Sequence, residues 1–190
     1  PLSGSLAGNT GKLARAASGW RGAARTIAQW AAVHRDASRA LVWFHAASVG
    51  EGRQAEAVIV RLRAARPDWQ VAYTHSSSSA ERFAGALPAD FAGYVPCDTV
   101  ADTAVALEAL RPAALVFSAT DVWPELVRQA VARGIPVGLI SATLAPTSSR
   151  RGALARALLA DSYAAITRVG AIDAADAQGL AALGVPADRI

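Results

Sequence analysis

Two rhythms of apolar positions alternate along this chain. Leu41, Val42, Trp43 and Phe44 form a run too short for a helix, and past Gly50 and Gly52 the apolar positions space out as Ala55, Val58, Ile59 and Leu62, at i, i+3, i+4 and i+7. The first rhythm predicts a buried strand and the second a helix, with a tight glycine turn between them. Pro67-Asp68 stops that helix, and a second strand follows at 71–74. A short helix begins near Ser79-Ala80-Glu81-Arg82, with Ser78 or Ser79 as its N-cap. A third strand around Tyr94-Val95 ends at Pro96-Cys97-Asp98, and a helix from about Val100 to Leu110 is stopped by Arg111-Pro112. Ala114 to Ser118 reads as the fourth strand, Trp123 to Arg133 as a helix closed by Gly134, and Val137 to Ser141 as the fifth strand. Helices near 152–160 and 174–183 follow, with a short strand at about 164–169 between them. Strands alternating with helices of about ten residues predict an α/β fold, a Rossmann-like parallel sheet flanked by helices with right-handed crossovers. No internal repeat is present.

Ahead of this pattern, residues 1–10 are rich in Ser and Gly and predict a loose terminus. From Leu13 to Val33 apolar residues recur as Leu13, Ala16, Trp20, Ala23, Ile27, Trp30 and Ala31, with Arg15, Arg21 and Arg25 tending to the other side. This predicts an amphipathic helix, or two short ones interrupted near Gly19 and Gly22. Such a basic helix either packs on its own domain or lies at a membrane surface. The division expected is therefore a tail and basic helical segment over 1–40 and a Rossmann-like domain over 41–190.

Composition narrows the class. A chain of 190 residues, 53% hydrophobic and 18% charged, is long and apolar enough to bury a full core. Net charge is +4, and among the 19 lysines and arginines only Lys12 is a lysine. Arginine forks bind carboxylates and phosphates at two points, which favours an anionic partner or an acidic lipid surface. With Cys97 as the single cysteine an internal disulfide is excluded, and a reducing cytoplasm is expected. No stretch approaches the ~18 apolar residues of a membrane span, and no signal peptide is visible. The start at Pro1 and the end at Asp188-Arg189-Ile190 suggest a piece of a longer protein.

Candidate chemistry gathers where strands end. Glu51 falls in the turn between the first strand and its helix, flanked by Gly50 and Gly52. A carboxylate there interacts favourably with the helix dipole, or serves as a general base aimed into the cleft at the sheet's edge. The same letters read Gly50-x-Gly52-x-x-Ala55, a variant of the dinucleotide fingerprint. Against that reading, the first glycine comes late, a carboxylate stands where a pyrophosphate would approach, and the second strand ends in His75-Ser76-Ser77-Ser78-Ser79 without the ribose-binding acid. After the fourth strand, Ser118-Ala119-Thr120-Asp121-Val122-Trp123-Pro124-Glu125 offers Asp121 as a helix cap or a ligand-contacting acid. After the fifth, the stretch from Ser141 to Arg151 is a hydroxyl-rich loop ending on two arginines. His45 reads as a satisfied core histidine. Metal-ligand spacing, a Gly-x-Ser-x-Gly elbow and a P-loop are absent from the sequence.

His45-Ala46-Ala47-Ser48-Val49-Gly50-Glu51, followed by Arg53, resembles the opening signature of the 3-deoxy-D-manno-octulosonic acid (Kdo) transferases, His-Ala-Val-Ser-Val-Gly-Glu and then Arg. Thr74 through Arg82, Thr120-Asp121-Val122-Trp123-Pro124, and Gly134-Ile135-Pro136-Val137 leading into Ser141-Ala142 fall in that family's order, so the likeness spans roughly 41–190. It implies the N-terminal, acceptor-binding half of a GT-B type glycosyltransferase, with CMP-Kdo held mainly on a second half. It also implies an inverting transfer to a lipid A precursor at the cytoplasmic face of the bacterial inner membrane, with Glu51 as the base. The acceptor contacts it implies are Ser48, Gly50, Arg53, Thr120, Asp121, Trp123, Ser148 and Arg150, with no cofactor, no metal and no nucleic acid. The chain departs from the family pattern at Ala119-Thr120-Asp121, where Glu-Thr-Glu is usual, at Glu125 in place of Asn, and at Thr143 in place of arginine. The alternative is a non-catalytic Rossmann-like domain that binds an anionic glycolipid or a nucleotide-sugar.

Overall fold

The computed structural model describes residues 3–145 and 147–190. The chain runs α1 (Ser3–His34), β1 (Leu41–His45), α2 (Val49–Ala65), β2 (Gln70–His75), α3 (Glu81–Ala84), β3 (Phe91–Tyr94), α4 (Val100–Leu110), β4 (Ala114–Ser118), α5 (Pro124–Ala132), β5 (Val137–Ala142), α6 (Ala153–Ala164), β6 (Arg168–Ala171) and α7 (Ala174–Ala182). All strand pairings are parallel, in the order β3-β2-β1-β4-β5-β6. The order reverses between β1 and β4, whose connections leave in opposite directions, so a crevice opens at their carboxyl ends. The fold is the Rossmann-like parallel sheet flanked by helices that the alternating pattern predicts.

The period of two along the strands divides the core into two layers. Leu41 and Trp43 join Leu115, Phe117, Leu126 and Tyr163 on one face, while Val42 and Phe44 join Ala55, Ile59, Val71 and Tyr73 on the other. The expected strand and helix positions hold for β1, β2, β4, β5, α4, α5, α6 and α7 to within a few residues. β3 and β6 are displaced from the expected 94–95 and 164–169. β3 starts earlier, where Phe91 fills the core beside Trp30 at 5.4 Å, and β6 starts later, because Ala153–Ala164 is helical throughout.

One expectation for the N-terminal segment is corrected and one alternative is decided. Ser3–Thr10 is assigned to α1 and not to an irregular tail, while Pro1, Leu2 and the side chain of Leu13 lie outside the described residues. Of one helix or two interrupted near Gly19 and Gly22, the structure has one, and α1 runs through both glycines. Gly19 has a packing reason: a Cβ there would lie 2.5 Å from the Tyr94 ring, so the missing side chain lets the helix approach β3. Ile27 is fully buried, Trp20 donates its indole N–H to the Ser76 carbonyl at 2.9 Å, and the Arg35 guanidinium donates to the carbonyls of Leu110 and Arg39. α1 therefore packs on its own sheet, leaving Arg21 and Arg25 exposed.

Candidate functional site

The first turn of α2 meets the end of β4 at the crevice. Ser48 is the N-cap of α2, and its backbone N–H donates to Glu51 Oε2 at 2.9 Å while its hydroxyl lies 3.2 Å from the same oxygen. This reciprocal cap fixes the carboxylate, and Oε1 has no hydrogen-bond partner among the described residues. The Ser118 hydroxyl at the end of β4 donates to the Glu51 carbonyl at 3.0 Å, tying the two strand ends together. Gly50 is exposed in the same turn. Gly52 is forced by contact, since a Cβ would lie 2.5 Å from Phe83 and 2.7 Å from the Tyr73 hydroxyl. Burial, and then the Glu51 charge, push the Tyr73 phenol up, so that hydroxyl stays protonated; it is buried and has no hydrogen-bond partner among the described residues.

The second cluster centres on Asp121. Ala119, directly after β4, takes a left-handed conformation with φ 61°, and Ser141 near the end of β5 does the same at φ 50°. A non-glycine residue there costs about 1–2 kcal/mol, and both sites lie where the chain turns off the sheet edge. Past Ala119, Asp121 accepts from Arg150 at 3.2 Å through Oδ1 and from the Trp123 indole N–H at 3.2 Å through Oδ2. His45 Nε2 lies 3.7 Å from Oδ2, too far for a hydrogen bond. Burial alone would raise the Asp121 pKa, yet His45, Trp123 and Arg150 outweigh it and hold the carboxyl below its usual range. Tyr163 donates to the Thr120 carbonyl at 3.1 Å, and the Ser148 hydroxyl accepts from the Arg150 backbone N–H at 3.3 Å.

The residues expected at the site thus form two groups joined through Ser118. Ser48, Gly50 and Glu51 share the first turn of α2. Thr120, Asp121, Trp123, Ser148 and Arg150 surround the end of β4. Arg53 stands apart, pairing with Glu56 at 3.1 Å and lying 4.9 Å over the Phe83 ring. Pro146, in the loop after β5, lies outside the described residues.

Three local expectations are corrected. Asp121 does not cap α5. Trp123 is the N-cap, Pro124 opens the helix, and the backbone N–H groups of Glu125 and Leu126 donate to Asp98 at 3.0 and 2.8 Å. Asp98 comes from the segment after β3, a long-range partner that local spacing does not reveal. Ser77, rather than Ser78 or Ser79, caps the short 78–80 turn before α3, accepting from the Ser79 N–H. His45 is buried as expected but is not satisfied. Its Nδ1 is 3.1 Å from the Thr74 hydroxyl, which also accepts from the Trp43 indole N–H, whereas Nε2 has no hydrogen-bond partner among the described residues and faces Asp121.

Among the described residues no group of three or more His, Cys, Asp or Glu side chains is placed to hold a metal ion. No described helix is long and apolar enough to cross a membrane.

Solved structures share this architecture. A UDP-GlcNAc 2-epimerase from Neisseria meningitidis, bound to UDP-GlcNAc, superposes with a TM-score of 0.57 at 16% identity, covering 78% of this chain and 45% of that one. A UDP-N-acetylglucosamine 2-epimerase from Rickettsia bellii gives a TM-score of 0.54 at 16% identity over 80% of this chain and 43% of its own. At that identity the likeness shows the fold alone. Curated sequences come nearer. The 3-deoxy-D-manno-octulosonic acid transferase of Bordetella pertussis is 30% identical over 176 residues, 79% of this chain and 39% of its own length. That of Chlamydia muridarum is 29% identical over 153 residues, 79% of this chain and 36% of its own. The chain therefore spans less than half the length of these relatives. The profile of the family described as 3-deoxy-D-manno-octulosonic-acid transferase (kdotransferase) matches residues 21–190. That span takes in every strand, the first turn of α2 and the Asp121 cluster, and the chain belongs to the 3-deoxy-D-manno-octulosonic-acid transferase family.

Proposed function

We propose that this chain forms the acceptor-binding half of a glycosyltransferase that moves Kdo from CMP-Kdo to a lipid A precursor. In this reading Glu51 takes the proton of an acceptor hydroxyl, the freed oxygen attacks the anomeric carbon, and the bond from that carbon to the CMP oxygen breaks with inversion. A sugar hydroxyl is a poor nucleophile until a carboxylate takes its proton. The observation that carries the reading is the Glu51 carboxylate itself, held through Oε2 by Ser48 at the switch point of the sheet, with no hydrogen-bond partner for Oε1 among the described residues. Ser48, Gly50, Arg53, Thr120, Asp121, Trp123, Ser148 and Arg150 serve acceptor binding, and the donor sits mainly on a second half of the enzyme. The enzyme works at the cytoplasmic face of the inner membrane, with the exposed arginines of α1 turned to acidic lipid.

The reciprocal cap also favours a second reading, in which Glu51 only stabilises α2 and the domain binds an anionic glycolipid or nucleotide-sugar without transfer. Glu51→Gln in the full-length enzyme separates them, because glutamine still accepts from the Ser48 N–H through its amide oxygen. The expected result is a stability change of at most about 1 kcal/mol and a single-turnover rate lower by roughly 10²–10⁴-fold. Transfer at near the wild-type rate with a lowered melting temperature would leave Glu51 structural.

A further inference from the structure

α1 reaches the Asp121 cluster through one side chain. The Trp20 indole N–H donates to the Ser76 carbonyl just past β2 at 2.9 Å, which anchors the ring at the carboxyl edge of the sheet. That ring meets the Trp123 ring edge to face, with centroids 6.3 Å apart and planes at 78°. Trp123 in turn meets the His45 ring at 5.6 Å and 77°, and His45 is fully buried against Phe117 at 5.9 Å. The Trp123 indole N–H reaches Asp121 Oδ2 at 3.2 Å. Local sequence fixes the backbone that carries this indole, because a residue before proline is kept out of the helical region. Trp123 precedes Pro124 and takes φ −101° and ψ 107°. With the backbone set, the direction of the N–H depends on two side-chain torsions alone, and the rings packed on Trp123 limit those. His45 comes from β1 inside the sheet, whereas Trp20 comes from outside it, on α1.

We propose that Trp20 is a positioning residue for Asp121: its ring braces Trp123, so that the indole N–H stays on the carboxylate. Asp121 has two side-chain hydrogen-bond donors among the described residues, Arg150 on Oδ1 and Trp123 on Oδ2, each at 3.2 Å. Arg150 is a long side chain, 33% exposed, with many rotamers open to it. A rigid indole with two torsions is the better fixed of the two donors. Without the brace the indole can turn away, and the carboxylate then follows the motion of Arg150. This deepens the proposed function and rests on it only for what Asp121 contacts, the acceptor. Trp30 supplies the comparison on the same helix, because its ring contacts are Phe91 at 5.4 Å and His34 at 5.9 Å, neither of which belongs to the site.

The indole N–H signals of the five tryptophans, with Trp123 assigned by its loss in Trp123→Phe, read this brace in the chain without any ligand. Trp20→Leu keeps apolar bulk and removes the ring edge. The Trp123 N–H should then exchange with solvent roughly two- to tenfold faster, the range set by one aromatic pair. The Asp121 carboxyl should titrate at a higher pH than in the original chain, because burial pushes it up and one of the donors that hold it down is lost. Trp20→Phe keeps a ring edge and should fall between the two. Trp30→Leu should leave both readings unchanged, whatever it does to the melting temperature. Unchanged exchange and titration in Trp20→Leu, or equal changes in Trp30→Leu, would overturn the brace and leave Trp20 a packing residue. If Trp20→Leu does not fold, cross-relaxation between the Trp20 and Trp123 ring protons of the original chain decides: its presence supports the brace and its absence overturns it. In the full-length enzyme Trp20→Leu should raise the KM for the acceptor severalfold at near-constant kcat. Shifted Trp123 and Asp121 readings with KM unmoved would remove Asp121 from acceptor binding and keep the brace.

Discussion

His45 and Asp121 illustrate how much a single contact changes a residue's meaning. In sequence His45 is an imidazole in an apolar strand, and its burial is complete, but its Nε2 faces a carboxylate 3.7 Å away across the β1–β4 crevice. Asp121 has a depressed folded pKa, so the stability it contributes is present above the unfolded value of about 3.9 and is lost as the pH falls through the lower folded value. The stability difference between the original chain and Asp121→Asn should be full at neutral pH and fade below about pH 4, as read from urea midpoints across that range. Asp98 gives a complementary case. Both of its oxygens accept backbone N–H groups at the start of α5, and an asparagine would turn an amide NH₂ toward one of those donors. Asp98→Asn should therefore lower stability by about 1–2 kcal/mol, measured by chemical denaturation at neutral pH; an unchanged midpoint would mean that water replaces the lost acceptor.

At the scale of elements, α1 shows why two glycines of the same helix are not equivalent. A Cβ at Gly19 would collide with the Tyr94 ring, which is held by a tilted ring contact with His75 at 4.4 Å and by its hydroxyl on Glu81, so the ring has little room to yield. A Cβ at Gly22 would meet nothing within 4 Å, so this residue carries only the entropic cost of glycine in a helix. Gly19→Ala should destabilise by about 1–3 kcal/mol, while Gly22→Ala should stabilise by about 0.5–1 kcal/mol. Thermal melts of the two variants check both signs together. Of one helix or two interrupted near these glycines, the interrupted form would follow from glycine's local preference. The single helix holds because tertiary packing of Ala16, Ala23 and Ile27 carries it through both sites.

For the whole molecule, charge and completeness matter more than any single contact. Arg21 and Arg25 stay exposed on α1 after its apolar face is docked, so the chain should co-sediment with anionic vesicles at low salt and be released as salt screens the contact. Equal and weak recovery with neutral and anionic vesicles would confine α1 to its packing role. Because this chain covers under half of its curated relatives, it should fold yet fail to turn over CMP-Kdo alone, checked by product analysis after prolonged incubation. The order of strands and helices was legible from periodicity, because a period of two against 3.6 is written residue by residue. The placing of Glu51 just past the first strand was legible because strand and helix are contiguous, but the expected glycine turn is not there: Gly50, Glu51 and Gly52 lie in the first turn of α2, and Ala46-Ala47-Ser48 makes the connection. The opening motif, also contiguous, was enough to point to the family. Tertiary structure alone decided what lies across the crevice: the Asp98 cap on α5, the His45 Nε2 facing Asp121 with no hydrogen-bond partner among the described residues, and Arg53 set over the Phe83 ring. These contacts join residues from different crossovers, and their partners are fixed by how the sheet reverses its strand order, which no local spacing encodes.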